Sequence, residues 1–135
     1  MSQEVFLSVV IPVFNEEESL PLLCDKLHAV LERLDKQCEV IFVDDGSTDR
    51  SFDVMCELRE VYPVIRAVRF RRNYRKAAAL ATGFSEARGD VIITMDADLQ
   101  HHPRDIPKVL ELLNKGNAVV SSWRYDRADE PAGKR

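Results

Sequence analysis

Short apolar, β-rich runs recur along this chain, each separated from the next by a segment with helical spacing. The runs are Phe6 to Phe14, Glu39 to Val43, Val64 to Phe70, Val91 to Met95 and Ala118 to Val120. Runs of that length are strand-sized, and buried parallel strands read as continuous apolar stretches rather than strict alternation. Between the first two, Leu20, Leu23, Leu27, Leu31 and Leu34 recur at helical spacing until about Lys36. Asn15 followed by Glu16, Glu17 and Glu18 reads as the start of that helix, with acids in its first turn and Pro21 tolerated near its beginning. The next helix is expected from caps among Ser47, Thr48 and Asp49 to about Tyr62, with Phe52, Met55, Cys56 and Val61 inward and Pro63 closing it. An alanine-rich helix spans about Arg75 to Ala87, stopped by Gly89, and Pro103 begins a last helix reaching Asn114. This βαβαβαβαβ order predicts one α/β domain over residues 1–135, a three-layer α/β/α sandwich around a mostly parallel sheet.

In such sheets ligands collect beyond the carboxyl ends of the strands, where the strand order reverses. Polar clusters fall at those ends: Asn15-Glu16, Asp44-Asp45, and Asp96 to Gln100. In an extended segment, residues two apart point to one side, so Asp96 and Asp98 converge on one object. Two close carboxylates repel unless a cation separates them, and hard oxygen ligands select Mg²⁺ or Mn²⁺. The competing reading makes one Asp a helix cap and leaves the other solvated.

Other phosphate chemistries lack their residues here. Pro12-Val13-Phe14-Asn15-Glu16 contains no glycine, which removes the dinucleotide fingerprint, and there is no P-loop. An acidic pair after the second strand rather than the first disfavours an aspartyl-phosphate site. His101 occupies the position where a calcium loop beginning at Asp96 needs glycine. His101 and His102, being adjacent, point apart in an extended segment and read as rim residues.

A net charge of −4 with 31% charged residues gives no global attraction to nucleic acid. The stretch holding Arg66, Arg69, Arg71, Arg72, Arg75 and Lys76 is read instead as a solvated edge strand or a contact for lipid phosphate or donor diphosphate. The cysteines Cys24, Cys38 and Cys56 sit in apolar-periodic segments, as small buried thiols of a reducing compartment do. No apolar run approaches the roughly 20 residues of a membrane span, and solubility is expected.

Ser8 to Glu17 (SVVIPVFNEE), Val43 to Asp49 (VDDGSTD) and Asp96 to Gln100 (DADLQ) resemble the successive motifs of inverting, GT-A-type family 2 glycosyltransferases. DADLQ, Arg72-Asn73-Tyr74 and Arg124 are most similar to members that transfer sugars to polyprenyl phosphates, such as dolichol-phosphate mannosyltransferase and bactoprenol-phosphate glucosyltransferases. The resemblance implies a GT-A fold and transfer from a UDP- or GDP-sugar donor to a polyprenyl phosphate. It assigns Pro12, Phe14 and Glu16 to the nucleotide base and ribose, and Asp44 or Asp45 to a base N–H. Asp96, Ala97, Asp98 and Gln100 fall at the metal–diphosphate positions, with Asp96, Asp98 and Gln100 as the metal set. Asp98 and Arg124 are expected to carry the transfer step, Arg124 by gripping the acceptor phosphate in a bidentate fork.

The resemblance further implies work at the cytoplasmic face of a membrane, with a homo-oligomer or a membrane-anchoring partner compatible with it. Two departures stand out. Many members carry a glycine shortly after the aromatic that corresponds to Tyr74, where this chain has Arg75-Lys76. Family members also usually continue beyond the strand at Ala118 to Ser122 into an acceptor-side segment, so the expectation is a donor-binding part. The alternatives are a non-catalytic nucleotide-sugar-binding module, or transfer to a polysaccharide or other sugar acceptor.

Overall fold

The computed structural model of the protein describes residues 4–100 and 102–114. Its four strands are β1 (Leu7–Val13), β2 (Cys38–Asp44), β3 (Ile65–Arg69) and β4 (Val91–Thr94). They form one all-parallel sheet in the order β3-β2-β1-β4. The helices are α1 (Leu20–Leu34), α2 (Ser51–Val61), α3 (Lys76–Glu86) and α4 (Ile106–Asn114), the last preceded by a 3₁₀ turn at Pro103–Asp105. The strand expected at Ala118 to Ser122 lies outside the described residues, as do His101 and Arg124.

Strand alternation divides the core between the two faces of the sheet. Leu7, Val9, Ile11 and Val13 of β1 join Val40 and Phe42 of β2 against Leu20, Leu23, Leu27, Met55 and Ile106. Val10, Ile41 and Val43 point the other way, onto Ala79 of α3. Leu20, Leu23 and Leu27 are wholly buried, each contributing about 1.5–3 kcal/mol from apolar burial. Gly83 lets α3 lie close to the sheet, since a Cβ there would sit 2.3 Å from Val10 Cγ1.

Helix α1 begins later than its acidic run predicts. Ser19 precedes it, its first turn holds no acid, and Asn15 is left-handed at φ 55°. The reason is tertiary: the Glu16 and Glu17 N–H groups donate to Ser51 Oγ and Asp49 Oδ2, and Glu17 Oε1 accepts Arg50 N–H, which ties this stretch to the start of α2. Helix α2 buries Ser51, Val54 and Met55, while Val61 is 66% exposed, because its last turn runs past the edge of the sheet's cover. Half-exposed β3 is the edge strand its alternating basic residues predict.

At the amino ends of the strands, buried Glu39 ties the sheet together. It accepts hydrogen bonds from Ser8 Oγ (2.6 Å), the Arg88 backbone N–H (2.7 Å), and the guanidinium groups of Arg66 and Arg88 (2.9 and 3.0 Å). Burial pushes its carboxyl up, and these donors outweigh that and hold it below the usual range. The cysteines are all free, and burial pushes the Cys24 thiol up to about 12, so it stays protonated.

Candidate functional site

The order β3-β2-β1-β4 reverses direction beside β1, which puts the switch point between β1 and β4. A cleft of about 220 Å³ opens there, lined by Pro12, Val13, Phe14, Glu16, Asp45, Lys76, Asp96, Ala97 and Asp98. Three separate loops therefore meet at the position that sheet topology assigns to a ligand.

The first loop is fastened to the segment before α2. Asn15 N–H donates to Ser47 Oγ at 2.9 Å and Glu16 N–H to Ser51 Oγ at 2.8 Å. In return, Asn15 Oδ1 accepts from Thr48 N–H at 2.8 Å and Glu17 Oε1 from Arg50 N–H at 2.8 Å. Asp49 accepts from Ser51 and Glu17; burial raises its carboxyl and these hydrogen bonds bring it below the ordinary range. Phe14 is left 45% exposed at the cleft, an aromatic face on a rigid support.

The second loop separates the two neighbouring acids by role. Asp44 is wholly buried and off the cleft, its Oδ1 accepting Ser47 N–H at 3.0 Å. Its Oδ2 has no hydrogen bond, and Arg69 Nε lies 3.9 Å away. Asp45 lines the cleft; its Oδ1 accepts Tyr74 N–H at 2.7 Å and its Oδ2 accepts Asn73 Nδ2 at 3.2 Å. Gly46 makes this approach feasible: at φ 77° it lies where a Cβ would come within 2.3 Å of the Arg72 carbonyl carbon. A carboxylate offers about four lone-pair sites, so Asp45 retains acceptor capacity toward the cleft.

The third loop carries Asp96 and Asp98. Strand β4 ends at Thr94, and Asp98 reaches the cleft through a turn at Ala97 and Asp98 rather than by extended alternation. Asp98 Oδ1 accepts Gln100 N–H at 3.1 Å, and Leu99 takes φ 68°. Gln100 is exposed and lies outside the residues that line the cleft. Ser19 joins this loop to the first, its hydroxyl lying 2.8 Å from both Ala97 O and Glu16 Oε1.

Sequence reasoning did not single out Ser19 or Lys76 as members of the site. Lys76 stood only in the basic run, but its Nζ lies 2.6 Å from Asp96 Oδ1. Its signal was its position at the start of the alanine-rich helix, in the Arg75-Lys76 pair that follows Tyr74. Of the positive-φ residues other than glycine, Asn15, Arg75 and Leu99 each adjoin a cleft residue, whereas Asp35 ends α1. Strained backbone of this kind concentrates where side chains must be aimed.

Among the described residues no group of three or more His, Cys, Asp or Glu is placed to hold a metal by itself. Two carboxylates on one cleft instead suit an ion whose remaining ligands are substrate phosphate oxygens and water, the usual state of Mg²⁺.

The three motifs thus meet at one acidic cleft at the switch point of a parallel α/β sheet. The chain belongs to glycosyl transferase family 2, whose model matches residues 8–135. It is 46% identical over 124 residues to an undecaprenyl-phosphate 4-deoxy-4-formamido-L-arabinose transferase of Pectobacterium atrosepticum, covering 91% of this chain and 38% of the relative. The protein of the same name from Pseudomonas syringae pv. syringae is 44% identical over 126 residues, covering 92% of this chain and 37% of the relative. The chain thus spans less than two-fifths of these curated relatives. Its fold is the GT-A fold. A mannosyltransferase from Pyrobaculum calidifontis, solved with GDP-Man and Mn²⁺, aligns with TM-score 0.57 and 28% identity, over 72% of this chain and 28% of that one.

Proposed function

We propose that this chain forms the donor-binding part of a metal-dependent inverting glycosyltransferase that passes a sugar from a UDP- or GDP-sugar to a polyprenyl phosphate. The observation that carries this reading is the convergence of Phe14, Asp45, Asp96 and Asp98 on one cleft from three loops. Phe14 and Pro12 flank the base, and Asp45 accepts a base N–H, the imide of uracil or N1–H of guanine. Asp96 and Asp98 hold Mg²⁺ or Mn²⁺, which when bound neutralises the departing nucleoside diphosphate. The 46% identity to an undecaprenyl-phosphate sugar transferase supports the acceptor class, and the Mn²⁺ and GDP-Man of the mannosyltransferase support the donor and ion.

A phosphate acceptor is already ionised near neutral pH, so the reaction needs no strong general base. Arg124 would hold that phosphate, and Arg124→Ala should weaken apparent acceptor affinity by about 1.5–3 kcal/mol while nucleotide binding stays unchanged. Acceptor chemistry of this kind belongs at the cytoplasmic face of a membrane. No helix among the described residues is long and apolar enough to cross one, so attachment would come through other segments or partners. The test is nucleoside diphosphate release from UDP- and GDP-sugars with and without undecaprenyl phosphate. Acceptor-dependent release supports the transferase; donor binding without any release points to a non-catalytic nucleotide-sugar module.

A further inference from the structure

Lys76 is the first residue of α3, and its ammonium lies 2.6 Å from Asp96 Oδ1. Both residues line the cleft, the lysine side chain half exposed and the aspartate 22% exposed, so the pair is reachable from solvent. The ionisable residues of that lining are Glu16, Asp45, Asp96 and Asp98 with Lys76 as the cation among them. A nucleoside diphosphate entering such a wall meets mostly like charge, and a lysine engaged with a carboxylate offers it little.

The placement of Lys76 is imposed from the backbone. Arg75, immediately before it, sits at φ 85° and ψ 161°, a region that only glycine occupies comfortably. The chain therefore spends strain on the turn that points residue 76 at Asp96. An ammonium on a flexible four-carbon stem can change partners without moving that backbone.

We propose that Lys76 is an exchangeable counter-ion for the metal carboxylate: it holds Asp96 in the ligand-free protein and passes to a diphosphate oxygen when a divalent cation takes that carboxylate. This rests on the metal–diphosphate reading of the cleft given above. Its consequence is that metal and nucleotide binding respond to Lys76 with opposite sign. Removing the ammonium takes away one competitor with the ion for Asp96, yet takes a positive charge from the diphosphate.

The experiment uses Mn²⁺ alone, then UDP and GDP at saturating Mn²⁺, on the wild type, Lys76→Gln and Lys76→Arg. Free Mn²⁺ is counted by its solution paramagnetic resonance signal, and nucleotide binding by calorimetry. Lys76→Gln should bind Mn²⁺ alone about two- to fivefold more tightly, the scale of an exposed ion pair. It should bind the preferred nucleotide about tenfold more weakly, the scale of a lost charge-assisted contact. Lys76→Arg keeps the charge and should restore most of the nucleotide affinity. If Lys76→Gln leaves both affinities unchanged, or weakens both, the exchange is wrong although the cleft still binds nucleotide in the wild type. If the wild type itself binds neither nucleotide in a Mn²⁺-dependent way, the metal–diphosphate reading fails and the exchange with it.

Discussion

Asp45 accepts the backbone N–H of Tyr74 at 2.7 Å, beside Gly46, where a Cβ would come within 2.3 Å of the Arg72 carbonyl carbon. The acid expected to read the nucleotide base therefore also anchors the loop that leads into α3. Its neighbour Asp44 faces the interior instead.

The two acids should separate by measurement. Asp45→Asn keeps an acceptor for Tyr74 but loses charge, and should weaken nucleoside diphosphate binding more than inorganic pyrophosphate binding. Asp44→Ala strands the Ser47 N–H, and should cost about 1–3 kcal/mol of stability while nucleotide affinity of the folded protein stays near wild type. Urea unfolding and calorimetry on both variants check this; equal loss of both ligands in Asp45→Asn would make that residue structural.

Arg75→Gly should stabilise the fold. The glycine-only conformation at φ 85° costs on the order of 1–3 kcal/mol for a residue with a Cβ, partly offset by about 0.5–1 kcal/mol of extra chain entropy for glycine. A net gain of about 1 kcal/mol in denaturant unfolding is expected, and a loss would show that Arg75 makes compensating contacts.

Acid should act on the fold in two windows. His28 is buried, stacks on Tyr62 at 3.9 Å and lies 3.0 Å from Cys24 O through Nδ1, leaving Nε2 without a hydrogen-bond partner. Burial lowers its pKa from 6.5, so the unfolded state takes up the proton first and stability falls as pH drops below 6.5. Glu39 is held below its ordinary 4.5, so its contribution is full above that pH and is lost as pH falls through the lower folded value. His28→Gln should remove the first loss and Glu39→Gln the second, in melts followed from pH 8 to 3. Glu39→Ala, which leaves Arg66 and Arg88 without their carboxylate, should cost about 2–4 kcal/mol at neutral pH.

The parallel sheet and its helices were legible because apolar run length and leucine spacing are local signals, and burial follows them directly in β1, β2 and α1. The reach of Asp96 and Asp98 into one cleft was also legible, though by the wrong route: a turn closed by Asp98 on Gln100 N–H, not strand alternation, brings them there. What stayed hidden depends on partners distant in sequence. Asn15 to Glu18 look like a helix start until Ser47, Ser51 and Asp49 take up the N–H groups of Asn15, Glu16 and Glu17. Lys76 looks like one charge in a basic run until the fold sets it on Asp96, twenty residues away. That Asp45 lines the cleft and bonds the 72–74 loop while Asp44 is buried likewise depends on a loop that no local pattern announces.

On the proposed function, Asp96 and Asp98 bind a nucleoside diphosphate through a divalent cation. Calorimetric titration of the chain with UDP and with GDP, in Mn²⁺ and then in EDTA, measures this directly. At least one nucleotide should bind about tenfold or more tightly in Mn²⁺, since the carboxylates and the diphosphate otherwise repel one another, and Asp98→Asn should lose most of that difference while keeping its melting temperature. Equal affinity in Mn²⁺ and EDTA would show that the two carboxylates do not hold the nucleotide through a metal ion.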